Sequence, residues 1–336
     1  MKASPVITRA DFREFCDFPV RLHPRSLYVP LPVPVLARHR RVARFFLVRD
    51  RSGRVVGRTS VHRDPAFGPE QLFGHTEFVD DDAVFEALMA VTSGPVFGPV
   101  ALLPNQTGGV ITSGFESRGF VDSAWNPPYY PFFYERHGFT RRFESSTWIL
   151  SSFSSSPLPP LAPGMVIRHG SRRRLGSQLP ILREMLNAGF AQLGYYTPIS
   201  AAQLAEQTDG LAYLLDEGLL LWLELFGRPV AFVVAVPDIS RFLMSTGGRL
   251  GPLDQLRLLA TRSRYRRSAV LVIKGCVPGE QGRGHVSRLT RHLHHNLAAG
   301  GYRTLRSTFV ERDNVASAAN SGRPLHGYTF YQRGAA

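Results

Sequence analysis

The feature that most constrains the fold is a strand, a glycine-containing loop and an amphipathic helix that follow one another near the C-terminus. Residues 268–277 read SAVLVIKGCV and predict a buried strand, and the loop after them contains Gly282 and Gly284. Apolar residues then recur at three- and four-residue steps from Val286 to Leu297, which predicts a helix with one apolar stripe. Because the glycines let the backbone turn sharply, the free N–H groups at the helix start can face a phosphate. This order of elements predicts a phosphate-binding loop in an α/β fold.

Two common phosphate loops do not fit the sequence. A Walker loop ends in Gly-Lys-Ser or Gly-Lys-Thr, and the only lysines are Lys2 and Lys274. A dinucleotide fold needs G-x-G-x-x-G after its first strand, whereas this loop lies about fifty residues from the C-terminus and lacks the third glycine. The loop resembles instead the coenzyme A loop of the GNAT acyltransferase superfamily, Q/R-x-x-G-x-G/A. Gln281 and Gly284 match its first and fourth positions, and Val286 replaces its final small residue.

A second motif, in the other half of the chain, resembles the same superfamily. Residues 134–139, YERHGF, resemble its Y-E-K-x-G-F ending, in which the glycine ends a helix and the aromatic residue begins a strand. The pattern of histidine, glycine, aromatic residue and threonine occurs at 137–140 and again at 326–329. A hairpin pattern around Gly53 likewise has a counterpart around Gly227. These recurrences predict two copies of one domain.

A stretch rich in serine and proline, residues 151–164, predicts a linker between the two copies. Strands and helices alternate on both sides of it, so the predicted class is mixed α/β. With the resemblance, we expect two tandem GNAT-like domains, each a mixed, mostly antiparallel twisted sheet flanked by helices. The N-terminal domain is expected over residues 1–150, and the C-terminal domain, with the acyl-CoA loop, over residues 165–336.

The whole chain resembles uncharacterised bacterial proteins with tandem GNAT domains, on segments such as 27–32, 53–58, 72–81 and 126–130. The resemblance implies an N-acyltransferase that moves an acyl group from acetyl-CoA or another acyl-CoA to an amine by direct attack. The acceptor is expected to be an amine of a small molecule, a peptide or a carrier protein. Two alternatives stay open. One is an aminoacyl-tRNA-dependent, Fem-like peptidyl transferase with tRNA as partner, and the other is a non-catalytic coenzyme-binding protein.

The resemblance also implies which residues contact the coenzyme. They are Lys274, Gly275, Cys276, Val277, Gln281, Gly282, Arg283, Gly284, His285 and Val286, with Asn314 on a late helix expected over 314–326. In the superfamily a tyrosine seven residues after the asparagine protonates the departing thiolate. That position is Ser321 here, so Tyr328 or Tyr331 is expected to act instead.

An amine that attacks a thioester also needs a group to receive its proton. Glu224 on a predicted strand is the expected base, with Asp238 as the alternative. Cys276 is expected to pack rather than to act as a nucleophile. No metal site is expected, because His292 and His295, one helical turn apart, lack an acidic or cysteine ligand at matching spacing.

The N-terminal copy has carboxylates where the glycine loop would lie. Asp80, Asp81 and Asp82 follow its predicted strand at 72–79, and their charges would repel a pyrophosphate. They are well suited to cap the next helix, since acidic groups satisfy the first N–H groups of a helix. We therefore expect that this copy has lost coenzyme binding and kept its shape.

Charge and cysteine content constrain the partners and the compartment. The formal net charge is +14, and all but two of the 40 basic residues are arginines. Arginine runs at 38–44, 168–174 and 262–267 predict an anionic partner, and the last, just before the coenzyme strand, is expected to bind the ligand's phosphates. Two cysteines and the lack of a signal peptide or an eighteen-residue apolar run predict a cytoplasmic protein without a membrane span.

Overall fold

The computed structural model of the protein describes residues 1–103, 107–153, 157–194, 196–208, 214–311 and 322–334. In these residues thirteen strands form one mixed sheet, and nine α-helices flank it. No helix within the described ranges combines the length and the apolar content needed to cross a bilayer. The predicted mixed α/β class is confirmed.

The first half of the chain supplies seven strands and four helices. The strands are β1 Ala3–Pro5, β2 Arg44–Arg49, β3 Val55–His62, β4 Gln71–Phe78, β5 Val96–Gly98, β6 Val110–Ser113 and β7 Thr140–Leu150. The helices are α1 Arg9–Leu22, α2 Val33–His39, α3 Asp82–Met89 and α4 Tyr129–Arg136.

The second half supplies the other six strands and five helices. The strands are β8 Met165–His169, β9 Leu220–Leu225, β10 Arg228–Pro237, β11 Ser268–Cys276, β12 Thr304–Glu311 and β13 Arg323–Arg333. The helices are α5 Leu175–Phe190, α6 Ala201–Gln207, α7 Ser240–Thr246, α8 Pro252–Ala260 and α9 His285–Ala299.

Both halves build the same five-stranded arrangement. In the first, β1, β2, β3 and β4 are antiparallel neighbours, and β5 lies parallel to β4. In the second, β8, β9, β10 and β11 repeat the antiparallel order, and β12 lies parallel to β11. The expected hairpins around Gly53 and Gly227 are β2–β3 and β9–β10. The prediction of two copies of one arrangement is confirmed.

The two long strands β7 and β13 are exchanged between the halves. The sheet order runs β4-β5-β13-β7-β12-β11, so the last strand of the chain completes the first half. β7 in turn pairs with β12 of the second half, and β7 and β13 pair with each other. The sheet therefore continues across the junction, and each half depends on a strand from the other.

The prediction that Gly327 repeats the helix-ending role of Gly138 is wrong. Gly138 follows α4 with φ +77, as predicted. Gly327 instead lies inside β13, opposite Ser146 of β7 and Ser113 of β6. The late helix expected over 314–326 cannot include residues 323–326, because the ladder with β7 holds this segment extended. Residues 314–321, with Asn314 and Ser321, lie outside the described residues.

Helices cover both faces of the second-half sheet. The predicted apolar stripe of α9 is confirmed, since Leu289, Leu293 and Leu297 are fully buried against strands β9 to β11. On the opposite face α5 contributes Leu182 and Met185 to a second apolar cluster. Burial on both faces fixes the position of β11, the strand that leads into the glycine loop.

Candidate functional site

β11 and β12 are paired over only part of their length. Residues 268–271 pair with residues 304–307, and the ladder ends there. β12 continues beside β7 alone, and its register to β7 shifts between Ser307 and Val310. The separation produces a gap between residues 272–276 and 308–311, called the wedge below, which opens toward the C-terminal ends of both strands.

The hydroxyl of Thr308 lies at the closed end of the wedge. Its Oγ1 donates to the backbone oxygen of Val272 at 2.7 Å and lies 3.3 Å from that of Leu271. This bond satisfies a backbone group that has just left the ladder. The sequence gives no signal for this role, because threonine is common in ordinary strands.

β11 carries a bulge at the same level. Against β10, Ile273 is opposite Val234 and Leu271 is opposite Ala235, so Val272 is an additional residue. A bulge leaves one residue unpaired and redirects the strand. The bulge therefore redirects β11 at the level where the wedge begins.

The predicted glycine loop lies at the open end of the wedge. Gly282 and Gly284 have φ of +75 and +78, which favours glycine, and a Cβ on either would meet no heavy atom within 4 Å. Gly284 is the N-cap residue of α9, and no side chain caps this helix. The first N–H groups of α9 and the positive end of its dipole are therefore accessible to an anion.

One acid, Glu280, lies beside the loop and is paired with two basic groups. Its Oε2 is 3.2 Å from a guanidinium nitrogen of Arg283 and 3.1 Å from Nε2 of His285. Gln281 and Arg283 are exposed, whereas His285 is buried. The pairing reduces the negative charge that Glu280 presents near the start of α9.

Lys274 lies on β11 just after the bulge. It is half-buried, and burial lowers the pKa of its ammonium group below the usual lysine value. Among the side chains that the structure describes, no carboxylate pairs with it. Burial, and next the charge of Lys274, lower the pKa of His294 on α9.

The other predicted coenzyme residues of β11 and α9 are packed. A Cβ on Gly275 would lie 3.0 Å from the rings of Phe190 and Phe232. Burial, and then Glu280, raise the pKa of Cys276 to about 11, so the sulfur is a protonated thiol at neutral pH. Val277 donates its N–H to the backbone oxygen of Val230 at 2.9 Å, and Val286 packs on the α9 core.

Glu224, the expected base, is engaged in an ion pair. Its carboxylate accepts from Nε of Arg168 at 3.0 Å and from Nε1 of Trp222 at 3.1 Å. It lies on β9, two strands from β11 and on the side away from the wedge, a separation of about 10 Å. Its role as base remains a prediction, which this position does not favour.

Tyr328 and Tyr331 lie in the cores of the first half. The ring of Tyr328 packs on Phe309 of β12, beside the wedge, but its hydroxyl lies 2.7 Å from Ser123 Oγ and donates to the backbone of Ala124. The hydroxyl of Tyr331 donates to Glu135 at 2.9 Å. Burial raises the pKa of both phenols. Protonation of the thiolate by either one stays a prediction, and these contacts do not favour it.

Asp238, the alternative base, joins the two halves. It accepts from Arg118 at 3.1 Å, from Arg306 at 3.2 Å and from the backbone N–H of Ser240 at 3.0 Å. Burial alone would raise the pKa of Asp238, but these partners together hold it below the usual value. Its role as the alternative base remains a prediction, which these contacts do not favour. No sequence motif marked Arg118 as its partner.

The first-half equivalent of the wedge is filled by the chain itself. β4 and β5 pair only at residues 71–72 and 96–97, and the segment after β5 then folds back against β4. Val100 donates its N–H to Phe73 at 2.8 Å, and a Cβ on Gly74 would lie 1.5 Å from the carbonyl oxygen of Val100. The bulge is present here too, where the register to β3 shifts near His75.

The aspartates after β4 cap α3, as predicted. Asp81 is the N-cap residue, and its carboxylate accepts from the N–H of Val84 at 3.2 Å. Asp82 lies in the first turn and contacts His137 at 2.9 Å. The helix start that is open in the second half is thus closed by a side chain in the first.

The arginine run at 262–267 is not near the glycine loop. It precedes β11, whereas the loop follows it, and nine extended residues separate the two by about 30 Å. The expectation that this run binds the same phosphates as the loop is therefore wrong.

Comparison with solved structures identifies the architecture. A tandem GNAT protein from the clavulanic acid biosynthesis pathway superposes with a TM-score of 0.57 at 12% sequence identity, covering 98% of this chain and 97% of that one. The chain has the tandem GNAT fold. At this identity the likeness concerns the fold alone.

Two curated proteins are similar in sequence to this chain. Protein YghO of Escherichia coli K12 is 25% identical over 232 residues, which are 63% of this chain and 60% of that protein. A bacterial ceramide synthase of Caulobacter vibrioides is 24% identical over 291 residues, which are 76% of this chain and 74% of that protein. The first match thus spans less than two thirds of its relative. No protein-family model matches the chain.

Proposed function

We propose that the protein is an acyl-CoA-dependent N-acyltransferase whose donor site is the wedge and glycine loop of the second half. The observation that carries the proposal is the uncapped start of α9, which directly follows a strand that has parted from its parallel neighbour. Acyl-CoA presents a pyrophosphate, an amide-containing arm and a thioester in that order. In our proposal the pyrophosphate binds the loop N–H groups, the amide-containing arm lies along the unpaired edge of β11, and the thioester lies at the bulge.

The reaction needs few groups from the protein. The acceptor nitrogen attacks the thioester carbon, a C–N bond forms, the C–S bond breaks, and the thiolate leaves. A backbone N–H at the bulge of Val272 and Ile273 is our proposed donor to the oxyanion. The amine loses one proton, and the thiolate takes one up from water or a neighbouring donor.

We assign the proton acceptor to Lys274. It lies next to the bulge on the wedge strand, and its lowered pKa gives it a larger neutral fraction than an ordinary lysine. A neutral amine accepts a proton and an ammonium does not, so the rate should rise with pH until Lys274 is deprotonated, below the usual lysine range.

The acceptor that we favour is a long-chain amine. The support is the similarity to a bacterial ceramide synthase over about three quarters of each chain, since a ceramide is the N-acyl product of a long-chain amine. Small molecules, peptides and carrier proteins are the other expected acceptors. The aminoacyl-tRNA-dependent alternative differs in requiring no binding of free coenzyme A.

The central test is calorimetric titration of the purified protein with coenzyme A and acetyl-CoA, followed by assays with acyl-CoAs of increasing length and a panel of amines. We expect a single coenzyme site and amide formation with at least one amine. Absence of coenzyme binding, with co-purification of tRNA, would favour the peptidyl transferase. Binding without turnover across the panel would favour the coenzyme-binding protein.

The assignment of Lys274 is tested by its pH profile. Lys274→Met should keep coenzyme affinity within about threefold, lower kcat by about tenfold to a hundredfold, and remove the rise of kcat with pH. Glu224→Gln is the matched control and should keep the pH dependence. A Lys274→Met profile that rises like the wild type would exclude Lys274 as the base.

A further inference from the structure

Helix α8 exposes an apolar stripe to solvent. Leu253 is 81% exposed and Leu256 is 63% exposed, and Ala260 on the same face is exposed as well. Their spacing of three and then four residues puts them on one side of the helix. The opposite side is anchored, because Leu258 is buried. The stripe is therefore held outward by a helix that the fold positions firmly.

Arginines surround the stripe. Residues 249–267 contain six exposed arginines, Arg249, Arg257, Arg262, Arg264, Arg266 and Arg267. The segment has one acid, Asp254, which is occupied in accepting the N–H of Gly251 at 3.2 Å. Among the described side chains, no carboxylate pairs with Arg262, Arg264 or Arg267. The face thus combines exposed leucines with a large excess of positive charge.

A shallow pocket lies beside this face. Arg172, Arg262 and Arg266 line it together with Tyr265, and Leu214, Pro237 and Ile239 complete its wall. Two more exposed arginines, Arg173 and Arg174, follow Arg172 in the chain. The pocket is too small to enclose a headgroup, and Arg266 is paired with Asp216, so the pocket contributes positive charge to the face and no separate site.

We propose that α8 and the arginines around it form a docking surface for a membrane that contains anionic phospholipids. A bilayer interface is the partner that matches both features, because its acyl boundary takes up exposed leucines and its headgroup layer attracts arginines. A nucleic acid would pair with the arginines but leave Leu253 and Leu256 in water. This inference goes beyond the proposed acyl transfer and does not depend on it, since α8 lies at the opposite end of β11 from the glycine loop.

The test is co-sedimentation of the full-length protein with large unilamellar vesicles at low salt. One set is phosphatidylcholine alone, and the other contains about 30% phosphatidylglycerol, which gives a negative surface. We expect partitioning at least about tenfold stronger on the anionic vesicles, and weaker in high salt. Equal or negligible binding to both sets would overturn the proposal.

Two pairs of substitutions separate the apolar and the charged contributions. Leu253→Ser with Leu256→Ser should weaken partitioning to anionic vesicles by about tenfold, and Arg262→Gln with Arg264→Gln should remove the preference for them. Phe132→Ser, at a side chain that is 59% exposed on α4, is the matched control and should bind like the wild type.

Two further outcomes would assign the surface to another partner. One outcome would indicate nucleic acid as the partner. The two leucine substitutions would leave vesicle binding unchanged, and the protein would bind an RNA homopolymer tightly unless both arginines were substituted. The other outcome would indicate a second copy of the chain as the partner. The wild type would sediment as a dimer, and the variant with both leucine substitutions would sediment as a monomer. Either result would replace the membrane proposal.

Discussion

The two halves of the molecule share one strand arrangement but differ at the point where their parallel strands part. In the second half no segment within the described residues fills the gap between β11 and β12, and the gap leads to a glycine loop. In the first half the segment after β5 occupies the gap, with Val100 against Gly74, and Asp81 caps the helix start. The comparison teaches that the fold supplies the geometry of a ligand site, whereas a few local residues decide whether that geometry is accessible.

The largest effect is expected where the first-half gap is filled. Gly74→Ala should lower the free energy of unfolding by about 3 kcal/mol or more, because its Cβ would lie 1.5 Å from the carbonyl oxygen of Val100. Gly94→Ala is the matched control, since a Cβ there meets nothing within 4 Å, and should cost about 1 kcal/mol. Equal denaturation midpoints for both variants would mean that the gap is not tightly filled.

The next largest effect is expected at the glycine loop of the second half. Gly284→Val should weaken coenzyme A binding by at least about tenfold, because a side chain would occupy the space beside the start of α9. Gly301→Val introduces the same strain at the other end of α9, where φ is +76 and the space is also open. Calorimetry should show near-normal coenzyme A affinity for this control. If both variants lost coenzyme A affinity equally, the loop would not be part of the coenzyme site.

A smaller effect concerns the closed helix start of the first half. Asp81→Ala should cost about 1 kcal/mol of stability through loss of the cap and leave coenzyme affinity unchanged. Chemical denaturation and calorimetry on the same preparation measure both quantities. A fall in coenzyme affinity would place a ligand in the first half and reverse the comparison.

The smallest effects are expected at the two tyrosines. Tyr328→Phe and Tyr331→Phe should each keep kcat within about twofold and cost about 1 kcal/mol of stability, because each hydroxyl is used in a buried hydrogen bond. Steady-state kinetics with a working acceptor decides the matter. If kcat fell tenfold or more in either variant while coenzyme affinity stayed normal, that tyrosine would be the residue that protonates the departing thiolate.

The parts of the site that the sequence predicted are local. Gly282 and Gly284 adopt the left-handed conformation that the loop pattern required, and Asp81 caps the helix that follows it. Both depend on backbone rules that act within a few residues. The hairpins around Gly53 and Gly227 follow for the same reason.

The parts that the sequence did not predict depend on distant pairing. The motif at 326–329 resembles the one at 137–140, yet ladders with β6 and β7 keep Gly327 in a strand. The bulge at Val272 carries no glycine or proline to mark it, and the bond from Thr308 exists only because β12 leaves β11 there. Tertiary context overrides local preference at such positions.

The exchange of β7 and β13 has a consequence for how the chain is made. Residues 323–333 are made after the other twelve strands of the described sheet, yet β13 fills the place between β5 and β7. The sheet of the first half therefore has an open edge until β13 is made, and exposed edges favour aggregation. A nascent chain that stalls in the linker would lack this strand, so the sheet of the first half is completed only after β13 has been made.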